Sequence, residues 1–265
     1  LSFIKQLIDI AESSAISASK VILESTNDIK VDYKGTTDLV TNIDREVENL
    51  IIEKINSHFP DHTILAEESG LNQKTPDYLW VIDPLDGTTN FVHGYPSFGV
   101  SIGLLIKGVP SLGVVMELPS KNLYSAYKGN GAYKNGQPIN VSKNSNITEC
   151  LLATGFPYDH GERWKANMRL FEYFTDKTQG VRRLGAASVD LCHLACGYID
   201  GFWELDLKPW DTAAGIVIVS ESGGKISKMD GNKYSIYDNQ ILASNGIIHD
   251  DLSSKIFSIT NTFNL

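Results

Sequence analysis

Acidic side chains stand at the ends of predicted elements in four places along this 265-residue chain: Asp44, Glu67-Glu68, Asp83 with Asp86, and Asp211. Asp83 and Asp86 flank Pro84, and Gly87 follows, so an apolar strand over 78–82 ends in D-x-x-D-G. A tight turn there pushes two carboxylates out of one bend, where they repel unless a cation lies between them or one is protonated. Oxygen donors without His or Cys suit a hard ion such as Mg2+. The competing reading is a solvated acidic turn, because Asp and Gly are common turn residues. Gly87-Thr88-Thr89 weighs toward chemistry. Glycine permits close backbone approach, and the next amides could open a helix whose N-terminus receives phosphate. Carboxylates for a metal beside amides for a phosphate describe a metal-dependent phosphoryl-transfer centre.

The elements that must position these groups follow from periodicity. Residues 2–26 place Phe3, Ile4, Leu7, Ile8, Ala11, Ala15, Ala18, Val21 and Ile22 at helical spacing. Residues 34–38 read as a loop. Thr41 or Asn42 caps a second helix that carries Val47, Leu50, Ile51 and Ile55 and stops before Pro60. A short strand over 63–66 ends at Glu67, and the polar stretch 71–77 reads as a loop. From 98 to 143 the pattern is strands and turns, with Asn135-Gly136 a hairpin signal. This predicts an antiparallel sheet in the N-terminal half. From 150 onward strands (150–154, 181–184, 201–205, 225–229, 241–243) alternate with helices (162–175, 186–197, 211–222). That alternation predicts α/β units on a mixed, more parallel sheet. A boundary near 144–149 divides residues 1–146, an α+β half with most of the acids and Gly87-Thr88, from residues 147–265, which carry Asp211.

Composition excludes several classes. The length is ample for a core, and no apolar run is long enough to span a membrane. No basic region followed by an apolar stretch marks a signal peptide. The formal charge of −9 argues against direct nucleic-acid or anionic-membrane binding. Three cysteines (Cys150, Cys192, Cys196) cannot all pair, and their low density suits a reducing cytosol. Cys192 and Cys196 flank an apolar segment with His193 and read as buried helix thiols rather than a metal site.

The segment WVIDPLDGTTNF (80–91) resembles the first signature of the inositol monophosphatase family, and WDTAAGIVIVSESGG (210–224) resembles its second. GFPYD (155–159), RRLGAASVDL (182–191), AEES (66–69) and DLVTNID (38–44) are similar to bacterial members, in the family's order and over nearly the whole chain. The resemblance implies a layered αβαβα sandwich, usually a homodimer, that is Mg2+-dependent and sensitive to lithium. By matching motif, Glu67, Asp83 and the Leu85 carbonyl hold one Mg2+. Asp83, Asp86 and Asp211 hold a second, and a weaker third ion sits near Glu67. Gly87 and Thr88 bind phosphate through backbone N–H groups. Thr88 and Asp44 orient and deprotonate the attacking water. Glu204 contacts ring hydroxyls of inositol, and Ala187 makes a backbone contact near the substrate. The implied activity is hydrolysis of a small phosphate monoester, myo-inositol monophosphate, with histidinol phosphate or another small phosphate ester handled by the same superfamily as the alternative. A regulatory binding protein with secondary phosphatase activity is the remoter reading.

Other features carry bland readings beside sharp ones. Gly99-Val-Ser101-Ile-Gly103 fits G-x-S-x-G, but apolar alternation runs straight through it, so Ser101 lies within a strand and not on a nucleophile elbow. Gly129-Asn-Gly131 reads as a hairpin turn rather than a dinucleotide loop. His93 reads as a packed or surface histidine, Trp210 as packing beneath the metal site and Lys208 as a surface charge. Arg182 and Arg183 could face an anion, a partner subunit or surface acids. Lys34 is a candidate phosphate-side lysine. For Asp44 the alternative is a carboxylate that simply favours a helix N-terminus, and for Glu204 a solvated acid after a strand.

Overall fold

A computed structural model describes residues 2–25, 29–33, 39–72, 74–261 and 263. The chain opens with α1 (Ser2–Glu24), a small ribbon of β1 (Val31–Tyr33) and β2 (Leu39–Thr41), and α2 (Asn42–His58). There follow β3 (His62–Ala66), β4 (Gly70–Asn72), β5 (Thr75–Asp86), the short α3 (Thr88–His93), β6 (Phe98–Ile106), β7 (Val109–Leu118), β8 (Asn122–Tyr127), β9 (Ala132–Lys134) and β10 (Gln137–Ile139). The second half comprises β11 (Leu151–Thr154), α4 (Glu162–Lys177), β12 (Gly180–Arg182), α5 (Ala187–Ala195), β13 (Gly201–Leu205), α6 (Pro209–Glu221), β14 (Lys225–Ser227), β15 (Gln240–Ser244) and α7 (His249–Thr260).

These elements form five layers. The apolar stripe of α1 (Leu7, Ala11, Ala15, Ala18, Ile22) is fully buried against α2 and one face of an eight-stranded sheet ordered β10-β9-β8-β7-β6-β5-β3-β4. Only β3–β5 is parallel in that sheet. Helices α5 and α6 lie on its other face and form the middle layer. A five-stranded sheet ordered β12-β11-β13-β15-β14 comes next, with β11 parallel to both neighbours and β15 antiparallel to both of its own. Helices α4 and α7 cover its outer face. The architecture is therefore an α/β sandwich of the expected kind, antiparallel-rich first and mixed second. One core cluster joins Val81, Leu105 and Val115 to Leu191, Phe202 and Ile218, so residues of both halves share the middle layer.

Glycines set the depth of that layer. Gly103 and Gly113 are cross-strand partners on β6 and β7. A Cβ at Gly103 would lie 2.8 Å from Ala213 Cβ, and one at Gly113 would lie 2.2 Å from Ala214 O. The bare pair is a trough that lets the backbone of α6 descend onto the sheet. Gly215 likewise admits Leu191 of α5, whose Cδ1 would lie 2.5 Å from an added Cβ.

Two expectations need correction. The stretch 71–77 is not a loop: residues 71 and 72 belong to the edge strand β4, and β5 already begins at Thr75. Its polar side chains hide this, because an edge strand is held by main-chain pairing and needs no buried face. The unanticipated α7 buries Leu252 and Ile256 under the second sheet. The predicted loop 34–38, with Lys34, and residue 26 of the first helix lie outside the described residues. Asn135 and Gly136 take φ 51° and 74°, the left-handed pair that a two-residue hairpin requires.

Candidate active site

Thr41 closes the N-terminus of α2 with a reciprocal cap. Its Oγ1 accepts from Ile43 N and Asp44 N, and Asp44 Oδ2 accepts from Thr41 N at 2.8 Å and Thr41 Oγ1 at 2.5 Å. The other oxygen, Asp44 Oδ1, lies 3.0 Å from Thr88 Oγ1, which also lies 3.0 Å from Leu85 O. A hydroxyl has one proton, so Thr88 donates to one of these at a time. Asp44 is thus both the helix cap and a direct partner of Thr88, with 1% of its surface exposed behind that residue. Burial raises its pKa, against the hydrogen bonds from Thr41 and Thr88.

The D-x-x-D segment is not a turn. Strand β5 runs through it as far as Asp86, with a bulge against β6. Asp83 pairs with Ser101 and Asp86 with Gly99, so two residues of β5 oppose the single Val100. In a regular strand, residues three apart face opposite sides. The extra residue of the bulge brings Asp83 and Asp86 to the same side, toward the middle layer. Pro84 lacks an N–H and is suited to that unpaired position. Asp83 Oδ1 accepts from Leu85 N at 3.0 Å, and Asp86 Oδ2 accepts from Ser188 N at 2.7 Å, in the first turn of α5. Asp211 arrives from the first turn of α6, where its Oδ2 accepts from Lys208 N at 2.6 Å. Gly87 has φ 85°, and a Cβ there would lie 3.0 Å from Ser97 O and 3.2 Å from Ala186 Cβ, so only glycine links β5 to α3 in this way.

Glu67, Asp83, Leu85, Asp86, Gly87, Thr88, Glu204 and Asp211 all line one cavity of about 510 Å3. Eight carboxylate side chains border it, and Lys208 is the only ammonium or guanidinium among the described lining residues. Burial, and then the charges of Glu67, Asp86 and Asp211, raise Asp83 well above the carboxylate range. Burial and the charge of Asp86 do the same to Asp211. Burial raises Asp86 to about 6, held in check by the amides of Ser188 and Ala187. No three of these side chains are drawn into a closed cage among the described residues. The donor set nevertheless fits a hard divalent cation. It is all oxygen, buried at Asp83 and half-buried at Glu67, Asp86 and Asp211, and mutually repulsive, with Lys208 the one positive side chain among the described lining residues.

Glu204 is the penultimate residue of β13 with 9% exposure, raised well above its ordinary pKa by burial and the neighbouring charges of Asp190, Asp211 and Asp86. Gly155 makes room for it, since a Cβ there would fall about 2.0 Å from Glu204 Oε1. Ala187 is buried at the start of α5, beside the amide that meets Asp86. Trp210 and Lys208 are on the cavity wall, and Lys208 is an exposed charge at its edge. His93 is exposed at the end of α3 and away from the cavity. Arg183 lines a neighbouring cleft with Gly87 and Trp164, and Arg182 is exposed. Ser101 is buried within β6 and its Oγ lies 3.3 Å from Trp210 O, a packing contact and not a nucleophile's setting. Glu48 was missed. Its two oxygens accept from Glu68 N and Ser69 N at 2.8 Å each and so hold the turn that presents Glu67. Its position four residues after Asp44, on the same face of α2, was the available signal.

A family model described as the inositol monophosphatase family matches residues 4–261. The chain is 47% identical over 262 residues to phosphatase IMPL1, chloroplastic, of Arabidopsis thaliana, covering 96% of this chain and 71% of that protein. It is 38% identical over 254 residues to Nus factor SuhB of Pasteurella multocida, covering 94% and 95%. The solved inositol monophosphatase of Anabaena (Nostoc) sp. PCC 7120 superposes with a TM-score of 0.85 at 44% identity over 96% of both chains. With a family model matched over residues 4–261 and relatives at 44–47% identity over nearly its whole length, this chain belongs to the inositol monophosphatase family.

Proposed function

We propose that the protein is a Mg2+-dependent phosphomonoesterase that hydrolyses myo-inositol monophosphate to inositol and phosphate. The observation that carries this reading is the convergence of Glu67, Asp83, Asp86 and Asp211 on one cavity that also holds Gly87-Thr88 and the buried Glu204. In this reading Glu67, Asp83 and the Leu85 carbonyl would hold one Mg2+, Asp83, Asp86 and Asp211 a second, with a third near Glu67. Bound Mg2+ would lower the pKa of an attacking water and neutralise charge on the phosphate and the leaving oxygen. The chain's own groups do the rest. The Gly87 and Thr88 amides orient the phosphate. Thr88 Oγ1 donates its hydrogen bond to Asp44 Oδ1 and presents its lone pairs to water. Asp44, desolvated and therefore more basic than an ordinary carboxylate, receives a proton through Thr88. Glu204 accepts hydrogen bonds from the hydroxyls of a polyol, with Ala187 beside it. As for the family, the working unit is proposed to be a homodimer in the cytosol. No described helix is long and apolar enough to cross a membrane.

Phosphate release from inositol 1-phosphate and from histidinol phosphate, side by side with Mg2+ and with EDTA, tests the reading. Mg2+-dependent preference for inositol phosphate supports it. Preference for histidinol phosphate keeps the site and changes the substrate, and release from neither overturns it. A second reading, a regulatory binding protein in the manner that the relatives' name Nus factor suggests, is favoured by the 38% identity to SuhB. It requires that a partner be retained after Asp86→Asn removes turnover.

A further inference from the structure

Two helices fill the middle layer, and they do not fill it completely. Helix α6 packs on β5 through β9 and α5 on β6 and β7. Toward β3 and β4 the space beside α6 is closed by the loop 233–237 instead of a third helix. A cavity of about 500 Å3 remains there, lined by Leu71, Leu79, Leu105, Pro110, Ile216 and Ile236, with Lys233 and Tyr234 among its polar wall residues. Its size and lining are those of a ligand site: apolar walls with a few placed polar groups, in the range of roughly 300–1,000 Å3. The rim is apolar as well, since Leu71 is 58% exposed, Val109 42% and Tyr237 67%.

The charge of this cavity is opposite to that of the acidic site. In a chain of net charge −9, no carboxylate is among the described lining residues, and Lys233 is their single ionised side chain. Lys233 has no ion-pair partner among the described residues. An apolar wall with one unpaired ammonium selects a small organic acid, apolar in body and anionic at one end.

The wall is also tied to the acidic cavity. Tyr234 Oη lies 3.0 Å from Thr212 Oγ1, and Thr212 follows Asp211 in the first turn of α6. Ile216 is on the same helix five residues after Asp211. We propose that this cavity is a second, effector site for a small amphipathic organic acid, whose occupancy acts on Asp211 through Tyr234, Thr212 and α6. The effect on turnover rests on the phosphatase reading above; the binding does not.

The test uses the whole protein with Mg2+ and 1-anilinonaphthalene-8-sulfonate as the probe, an aromatic body with one anionic group. Its fluorescence is expected to saturate at one probe per chain and to persist under excess inositol 1-phosphate. Lys233→Glu, which reverses the head-group charge, and Leu71→Trp, which narrows the exposed rim, should each weaken binding at least tenfold with basal turnover unchanged. Turnover should change with the same half-saturation as the fluorescence. In Tyr234→Phe the probe should still bind, while turnover no longer responds. Binding that is unsaturable, displaced by inositol 1-phosphate, or unchanged from the unsubstituted protein in both variants overturns the site. Loss of binding as protein concentration rises overturns it in favour of a second copy covering this face. Saturable binding with no change in turnover of an active enzyme overturns the link to Asp211.

Discussion

Gly113 is not among the residues that line the acidic cavity, yet its replacement by alanine should damage the acidic site. An added Cβ would lie 2.2 Å from Ala214 O, 2.9 Å from its carbonyl carbon and 3.0 Å from its Cα, all backbone atoms of α6. Carbon and oxygen need about 3.3 Å or more, so the helix must retreat by about 1 Å. Ala214 is three residues after Asp211 on a continuous helix, so Asp211 retreats with it, while Asp83 and Asp86 stay on the sheet. A misplacement of about 1 Å costs about 100-fold in rate, or about 2.7 kcal/mol of barrier. Overpacking removes a further ~1–3 kcal/mol of stability. The assay is turnover of inositol 1-phosphate across a Mg2+ titration, beside urea unfolding. Gly129→Ala is the control. It has open space around its Cβ and φ of +82°, so it should lose stability by about 1–2 kcal/mol without losing turnover. If Gly113→Ala loses stability but keeps turnover and Mg2+ half-saturation within twofold, α6 absorbs the methyl without moving Asp211, and the argument from the glycine trough is wrong.

Asp83→Asn and Asp211→Asn should abolish Mg2+-dependent turnover and raise Tm in EDTA, because each removes a charge from a mutually repulsive set. Mg2+ should then no longer raise Tm, and a wild-type response in both variants would show that these acids hold no metal. Glu48→Ala strips the acceptors from Glu68 N and Ser69 N. At about 1–3 kcal/mol per unsatisfied buried group it should destabilise the fold and raise the Mg2+ half-saturation, and an unchanged Mg2+ titration would detach Glu48 from the site. His249 is buried between Ser227 Oγ and Ser244 Oγ, and burial lowers its pKa to about 4. The unfolded chain takes up a proton near pH 6.5 that the folded chain refuses until about pH 4. Stability present above pH 6.5 is therefore lost as pH falls through that window, by up to about 3 kcal/mol. In His249→Gln the Mg2+-loaded protein should lose this part of the acid slope of its urea midpoint, and an identical slope would refute the assignment.

Much of the fold could be read from local pattern. Of the residues whose 3.6-residue spacing marked it, helix α1 buries Leu7, Ala11, Ala15, Ala18 and Ile22 while Phe3 at its start stays 44% exposed, and Thr41 and Asn135-Gly136 act as cap and turn because their side-chain and backbone chemistry is local. What stayed hidden depends on distant partners. Strand β4 is polar and short, and it exists because β3 offers its edge. The bulge at Pro84-Leu85 was read as a turn, since D-P-L-D-G has turn chemistry and only its pairing with Val100 shows the strand continuing. Glu48 carries no motif of its own, and only the 66–69 turn closing over it gives it a role.

The sequence by itself determined which side chains are acidic, which motif they occupy and hence the family, because those are properties of residue types in order. It also determined the two sheet patterns, through alternation in one half and strand–helix repetition in the other. Only the tertiary structure decided that Asp83 and Asp86 face the same way, that Asp44 meets Thr88, and that Asp211, 125 positions beyond Asp86, joins them. The physical reason is that burial and charge–charge coupling are collective. A carboxylate is a surface acid or a buried ligand candidate according to what packs around it. Here a one-residue bulge and a pair of bare glycines settle that packing.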